Sequence, residues 1–277
     1  MIIRNITKRD LGAIIRLSDQ EGWISDLSEF QMFIDLNPLG CFVCVSKHKV
    51  IGSIMTFLNE KSAWIGNFLV SKEYRRKGIG KCLFRKVIDY LELRKREQIF
   101  LNSSDQGKKL YKKFGFNEII KVDRWQGEIG NNEYLFKKEP KFFPDIIEAL
   151  KIDIGLWNDC RFELMSYLSS SRNLQLSYNS EGFLMYGKIG KVVTIGPWEL
   201  KSKSKKKAEQ LFSVCLSEIK PGFEIFLDVP EVNIIAKEIL EKYGFKKVGS
   251  TFFMSRGENP KIKFKNIFSF ATMGSVG

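Results

Sequence analysis

Three basic residues, Arg75, Arg76 and Lys77, stand directly before two glycines in the run Tyr74-Arg75-Arg76-Lys77-Gly78-Ile79-Gly80-Lys81. These are the residue types of an anion cradle. Glycines let the backbone approach a ligand closely, and the free N–H groups of a first helical turn point at it with the positive end of the helix dipole behind them. The spacing is neither the Gly-Lys-Ser/Thr of a P-loop nor the G-x-G-x-x-G of a dinucleotide fold. The reading is a pyrophosphate cradle of another kind; the alternative is an ordinary basic turn that caps a helix.

The flanking elements must position this turn. Trp64-Ile65-Gly66-Asn67-Phe68-Leu69-Val70 reads as a strand leading into it. Apolar residues at 83, 84, 87, 88 and 91 predict a helix leading out. Upstream, residues 2–6 read as a strand, and Asp10 to Leu17 as a helix capped by Asp10. Glu21-Gly22-Trp23 breaks that helix, and Ser25 or Asp26 can cap a second one, with Leu27, Phe30, Phe33 and Ile34 on one face, closing at Asn37-Pro38. Cys41–Ser46 and Val50–Leu58 form a hairpin around Lys47-His48-Lys49. Downstream come a strand over 98–102, a helix capped by Asp105 and ended by Gly115, a strand from Ile119 to Trp125, and a short strand over 133–136.

The 277 residues suit two domains of ordinary size. Forty-five basic against 32 acidic residues give a net charge of +13, which attracts polyanions. A coenzyme with a pyrophosphate needs few of these charges, and the rest fit a solvated lysine-rich surface. Five cysteines, an odd number, argue against a disulfide framework. Cys41 and Cys44 have redox-motif spacing, but three residues apart on a strand they point to opposite faces. With the single histidine His48 in a turn, histidine-dependent triads and zinc clusters have almost no material, and no metal is expected. Residues 1–8 lack the apolar core of a signal peptide, and no apolar run approaches the ~20 residues of a membrane span. The expected location is cytoplasmic.

Arg75-x-x-Gly78-x-Gly80 resembles the R/Q-x-x-G-x-G/A signature of the GNAT superfamily of N-acetyltransferases, and the element order above is the GNAT order. Leu101-Asn102-Ser103-Ser104-Asp105-Gln106-Gly107, running into Leu110-Tyr111-x-x-Phe114-Gly115-Phe116, is similar to the strand–helix end of that fold. Trp64-Ile65-Gly66 and Glu21-Gly22-Trp23 look like a bacterial and archaeal subgroup whose members carry a second GNAT-like half.

The chain itself shows that second half. Ile99-Phe100-Leu101-Asn102 is echoed by Ile225-Phe226-Leu227-Asp228, Phe114-Gly115-Phe116 by Tyr243-Gly244-Phe245, and Leu83-Phe84 by Leu211-Phe212. One order and nearly one offset signal duplication. In the second copy Gly78 becomes Lys206, Gly80 becomes Ala208 and Arg75 becomes Lys203, so the cradle turns into a lysine cluster over 201–207. Ile195-Gly196-Pro197, Asp228-Val229-Pro230 and Asn233 resemble the degenerate half of the subgroup. The expected architecture is α+β (mixed α/β): tandem GNAT folds, each a twisted, mostly antiparallel sheet flanked by helices. Residues 1–138 form the catalytic domain and 142–277 the degenerate one, which binds substrate or supports the fold.

The resemblance implies acetyl transfer from acetyl-CoA to a primary amine of a small molecule, by direct attack in a ternary complex. It implies that Arg75, Arg76, Lys77, Gly78, Ile79, Gly80 and Lys81 hold the pyrophosphate. The backbone of Asn67, Phe68, Leu69 and Val70 would hold the pantetheine and carbonyl, with Asn102 and Ser104 bonding pantetheine amides. Tyr111 stands where many members carry the tyrosine that protonates the leaving thiolate; packing on the core is its alternative. Glu21, or Asp19, is the candidate base, the alternative being a solvated loop acid. Trp23, Phe30, Trp64 and Trp125 are aromatic candidates for the acceptor pocket, core or hinge packing being the other reading. Arg161 and Asp228 are polar candidates, an internal salt bridge or a helix cap being theirs. Two other classes compete: a protein N-acetyltransferase, and a nucleic-acid-binding or scaffold protein on the same shell. The absence of aromatics from the 201–207 cluster disfavours RNA binding. Oligomeric state stays open.

Overall fold

The computed structural model describes residues 1–23, 27–129, 146–176 and 181–272. The first half runs β1 (Ile2–Asn5), α1 (Leu11–Gln20), α2 (Leu27–Leu36), β2 (Phe42–Ser46), β3 (Lys49–Leu58), β4 (Ser62–Val70), α3 (Ile79–Leu93), β5 (Gln98–Ser103), α4 (Asp105–Lys112) and β6 (Asn117–Glu128). The second repeats the order from its first helix: α5 (Ile146–Trp157), α6 (Phe162–Ser171), β7 (Asn173–Leu176), β8 (Gly182–Ile189), β9 (Val192–Leu200), α7 (Lys205–Ser217), β10 (Glu224–Pro230), α8 (Ile234–Lys242) and β11 (Lys246–Gly257), with a short β12 (Ile267–Ser269) added. The expected strand over 133–136, the join near 137–141 and the caps Ser25 and Asp26 lie outside the described residues.

Local chemistry accounts for most boundaries. Lys47 and His48 both have positive φ, 46° and 64°, as a two-residue hairpin turn whose twist matches its strands requires. Leu83, Phe84, Val87, Ile88 and Leu91 are all buried on one stripe of α3. Two expected caps differ. Asp10 does not cap α1 with its side chain; it takes the Thr7 N–H at 2.8 Å and pairs with Arg4, bracing the single turn ahead of the helix. Those hydrogen bonds, Arg4 first, hold its carboxyl down at about 2. Ser104, not Asp105, caps α4, its hydroxyl accepting from Gly107 N–H.

The two halves do not keep separate sheets. All twelve strands join one sheet in the order β1-β2-β3-β4-β5-β11-β6-β10-β9-β8-β7, with β12 on β9. Among the described residues only β4–β5 and β9–β10 pair in parallel; the other pairings are antiparallel. The strand that follows the last helix of each half has changed sides. β11 lies against β5 of the first half, β6 lies against β10 of the second, and the exchanged strands pair with each other down the middle.

One face of the sheet carries a core shared by α1, α2, α5 and α6, including Phe30, Phe33, Trp64, Trp157 and Phe253. On the other face α3 and α4 cover the first half, and α7 and α8 the second. Cys41 belongs to the shared core and Cys44 to the α3/α4 core, so they do face opposite ways. All five cysteines are free, and burial pushes the Cys41 thiol up to about 12.

Candidate active site

The basic turn sits where its residue spacing predicts, between β4 and α3. Gly78 is the residue before the helix and has φ of +81°, with no atom within 4 Å of where a Cβ would stand. Its requirement is conformational, since L side chains rarely adopt that region. Gly80 differs: a Cβ there would come 3.2 Å from the Phe68 ring. Among the described residues no hydrogen bond takes the backbone N–H of Arg76, Lys77, Gly78, Ile79, Gly80 or Lys81, while Cys82 begins the helical ladder on the Gly78 carbonyl. A fan of unpaired donors at a helix start is an anion site in geometry as well as in composition.

Beside this fan the sheet opens. The β4–β5 ladder runs from Ser62↔Gln98 only as far as Ile65↔Leu101, so Gly66 to Val70 is paired on the β3 side alone. On that side the register slips between Ser53↔Leu69 and Met55↔Gly66, leaving Asn67 and Phe68 as a bulge with Asn67 at φ +49°. Ser53 Oγ donates to the Asn67 carbonyl at 3.3 Å. Both side-chain polar atoms of Asn67, 3% exposed, and both of Asn102 are buried without a hydrogen-bond partner. Buried amides are normally satisfied, so these two amides at the mouth of the opening fit an amide-bearing ligand laid between the strands. The residues present therefore fit a pyrophosphate–pantetheine carrier.

Tyr111 faces this opening from α4. Its ring packs 5.1 Å from Phe84 and 6.3 Å from both Phe68 and Phe116, and burial raises its phenol well above the ordinary value. It is therefore a neutral O–H at any physiological pH. Gly107 makes room for it, because a Cβ there would lie 2.7 Å from the tyrosine ring.

Other expected residues have other partners. Arg75 donates from Nε to the Val70 carbonyl at 2.9 Å and pairs through Nη2 with Glu21 Oε1 at 2.5 Å. Its side chain thus ties the end of β4 to the loop after α1, and the candidate base is half of that tie. Arg76 is exposed, and Lys77 lies over the Tyr74 ring at 5.2 Å. The Ser104 hydroxyl is committed to its helix. Phe30 and Trp64 are core residues of the shared face, and Trp125 belongs to the α7/α8 core. Trp23 alone of the four aromatic candidates is exposed, at 42%.

Arg161 and Asp228 are not open to a ligand in this arrangement. Arg161 is sealed against Asp153 and Glu199 and stacks on Trp157 at 3.8 Å. Asp228 takes both Nε and Nη2 of Arg124 at 2.8 Å across the β6–β10 ladder. For both residues the internal salt bridge describes the geometry.

The corresponding opening in the second half is closed. The β9–β10 ladder also stops early, at Thr194↔Phe226. There β12 pairs along β9, Ser269 Oγ donates to the Ile195 carbonyl at 2.7 Å, and Phe270 N–H donates to the Asp228 carbonyl at 2.9 Å. Asn233, the helix-capping counterpart of Ser104, donates to the Ile267 carbonyl at 2.8 Å. The chain has filled its second slot with its own backbone, in addition to losing the glycines.

A family model described as "Acetyltransferase (GNAT) family" matches residues 10–116, and one described as "Acetyltransferase (GNAT) domain" matches 162–269. The chain belongs to the acetyltransferase (GNAT) family. It carries two GNAT domains. It is similar to a holothin acyltransferase from Pseudoalteromonas sp. (strain SANK 73390), 22% identical over 261 residues that cover 91% of this chain and 87% of the relative. Among solved structures, a protein from Pyrococcus horikoshii superposes with a TM-score of 0.84 at 25% identity, over 99% of this chain and 95% of that one. A tandem GNAT protein from the clavulanic acid biosynthesis pathway gives a TM-score of 0.66 at 12% identity, over 93% and 99% of the two chains, and shares the fold.

Several site features of this GNAT chain carried no readable signal in the sequence. The Ser53 hydroxyl under the bulge, the exchanged strand β11 beside β5, and the β12 plug depend on pairings between distant segments. Gly107 could have been found: a glycine inside a short helix, four residues before the tyrosine, has no conformational use there and points to close packing.

Proposed function

We propose that this GNAT chain transfers the acetyl group of acetyl-CoA to the primary amine of a small molecule, by direct attack with both substrates bound to the first half. One observation carries the reading: the unpaired N–H fan at Arg76–Lys81 stands next to a strand opening that holds the partnerless amides of Asn67 and Asn102. The fan holds the pyrophosphate, the open edge of Gly66–Val70 and the two amides hold the pantetheine arm, and the bulge presents backbone groups to the thioester carbonyl. Acetyl-CoA supplies an activated acyl group with a thiolate leaving group. The Tyr111 phenol, kept neutral by burial, hydrogen-bonds the departing sulfur and delivers its proton. Glu21, at the other side of the β4 end, receives the ammonium proton.

A small-molecule acceptor is favoured by the relative that spans nearly the whole chain, which is named for holothin rather than for a protein. The nucleic-acid reading loses ground, because two lysines of the basic cluster are paired with acids: Lys205 with Glu238 and Lys207 with Glu181. No helix among the described residues is long and apolar enough to cross a membrane.

The test is calorimetric titration of acetyl-CoA into the wild type and into Gly78→Glu, which puts bulk and negative charge into the fan. Binding by the wild type and its loss in a folded mutant supports the reading, and amines are then screened by thiol release. A wild type that does not bind acetyl-CoA sinks it.

A further inference from the structure

We propose that Glu21 and the donor's pyrophosphate compete for the guanidinium of Arg75, so that donor arrival releases the Glu21 carboxylate together with the turn Glu21–Trp23. This rests on the donor site proposed above.

The geometry around Arg75 has a fixed side and an exchangeable side. Nε is anchored on the Val70 carbonyl, 2.9 Å away, which holds the guanidinium at the end of β4, immediately before the N–H fan. Nη2 is the exchangeable side, on Glu21 Oε1 at 2.5 Å. The side chains are 38% and 20% exposed respectively, so an incoming anion can reach the pair. A pyrophosphate brings more negative charge than a carboxylate, and its oxygens suit the planar fork of arginine. With the fan supplying additional donors to the phosphate and none to Glu21, the exchange favours the ligand.

Glu21, Gly22 and Trp23 bond back to Ser18 and Asp19 of α1, so their own turn survives without Arg75. Gly22 has φ of +70° and nothing within 4 Å of a Cβ position. Beyond the Arg75 pair, Lys72 Nζ holds the Gln20 carbonyl at 3.0 Å, an exposed bond. Arg75 is thus a positioning residue for the base: it holds Glu21 while the donor site is empty and gives it up when the site fills.

A double-mutant cycle on acetyl-CoA affinity tests this. Glu21→Gln removes the competitor, and the dissociation constant falls about fivefold, the scale of one half-exposed ion pair. In an Arg75→Gln background the same Glu21→Gln change alters affinity less than twofold. Tightening of equal size in both backgrounds means plain repulsion between Glu21 and the phosphates and overturns the proposal, as does no tightening at all. Trp23 gives a second readout, because it is 42% exposed while Trp64, Trp125, Trp157 and Trp198 are each 5% or less. Donor addition changes a fluorescence component that Trp23→Phe removes; donor that binds without changing it also overturns the proposal. Failure of the wild type to bind acetyl-CoA is a different result, and it strikes the donor site itself.

Discussion

Asn102 and Asp228 hold the same position in the two repeats, each directly across the ladder from a residue of an exchanged strand: Phe253 for Asn102, Arg124 for Asp228. In the first half the side chain is a buried amide without a partner. In the second it is an acid held bidentately by arginine. The same position carries a partnerless amide in one copy and fastens the halves in the other.

The two substitutions should therefore separate. Asn102→Ala weakens acetyl-CoA binding by about 1 kcal/mol, the worth of one hydrogen bond, and leaves the melting temperature nearly unchanged. Asp228→Ala strands a half-buried arginine and destabilises the fold by about 2–3 kcal/mol without a specific effect on donor affinity. Calorimetry and chemical denaturation on both variants check the pair.

Tyr111 and Gly107 form one device. Tyr111→Phe lowers kcat by about 10²-fold or more, as loss of a positioned acid does, with little change in donor affinity. Gly107→Ala forces the ring aside; it costs about 1–3 kcal/mol of stability as overpacking and lowers kcat although no titratable group is removed. Steady-state kinetics beside thermal melts distinguish the two.

The filled second slot predicts stoichiometry. Acetyl-CoA binds one equivalent per chain, and Gly78→Glu abolishes all of it. A second equivalent in the calorimetric titration would show that β12 can leave the slot.

The sealed charges around Arg161 predict a pH dependence of stability. Desolvation, helped by Asp153, raises Glu199 from 4.5 to about 8, and its Oε2 is buried without a partner. The folded state holds a proton that the unfolded chain releases. This contribution to stability is therefore full below about pH 4.5 and is lost as the pH rises toward 8. Glu199→Gln flattens this part of the profile in melts taken across that range. Arg161→Met, which leaves the acids uncompensated, destabilises by about 3–5 kcal/mol.

Local signals were legible, and pairings between distant segments were not. The turn of Gly78 and Gly80, the stripe of α3, the hairpin at Lys47-His48 and the Gly115 and Gly244 helix ends all speak within a few residues. So does duplication, because it repeats such signals. The order of strands across the centre does not: β6 and β11 alternate in the same way whichever neighbour they take. For the same reason Arg161 and Asp228 could not be judged from type alone, since whether a charge is open or sealed depends on what the remote chain brings to it. At the site, the charge of Arg75 suggested a ligand contact, and the tie to Glu21 that accompanies it comes from a remote segment.

The crossing of β6 and β11 has a consequence for the history of the chain. A duplicated domain that merely sat beside its parent could later be deleted or recruited elsewhere. Here the second copy contributes the strand that flanks β5 of the first, and holds in return the strand that follows α4. Removing it would leave β5 with an open edge, so the duplication cannot be reversed by a single excision.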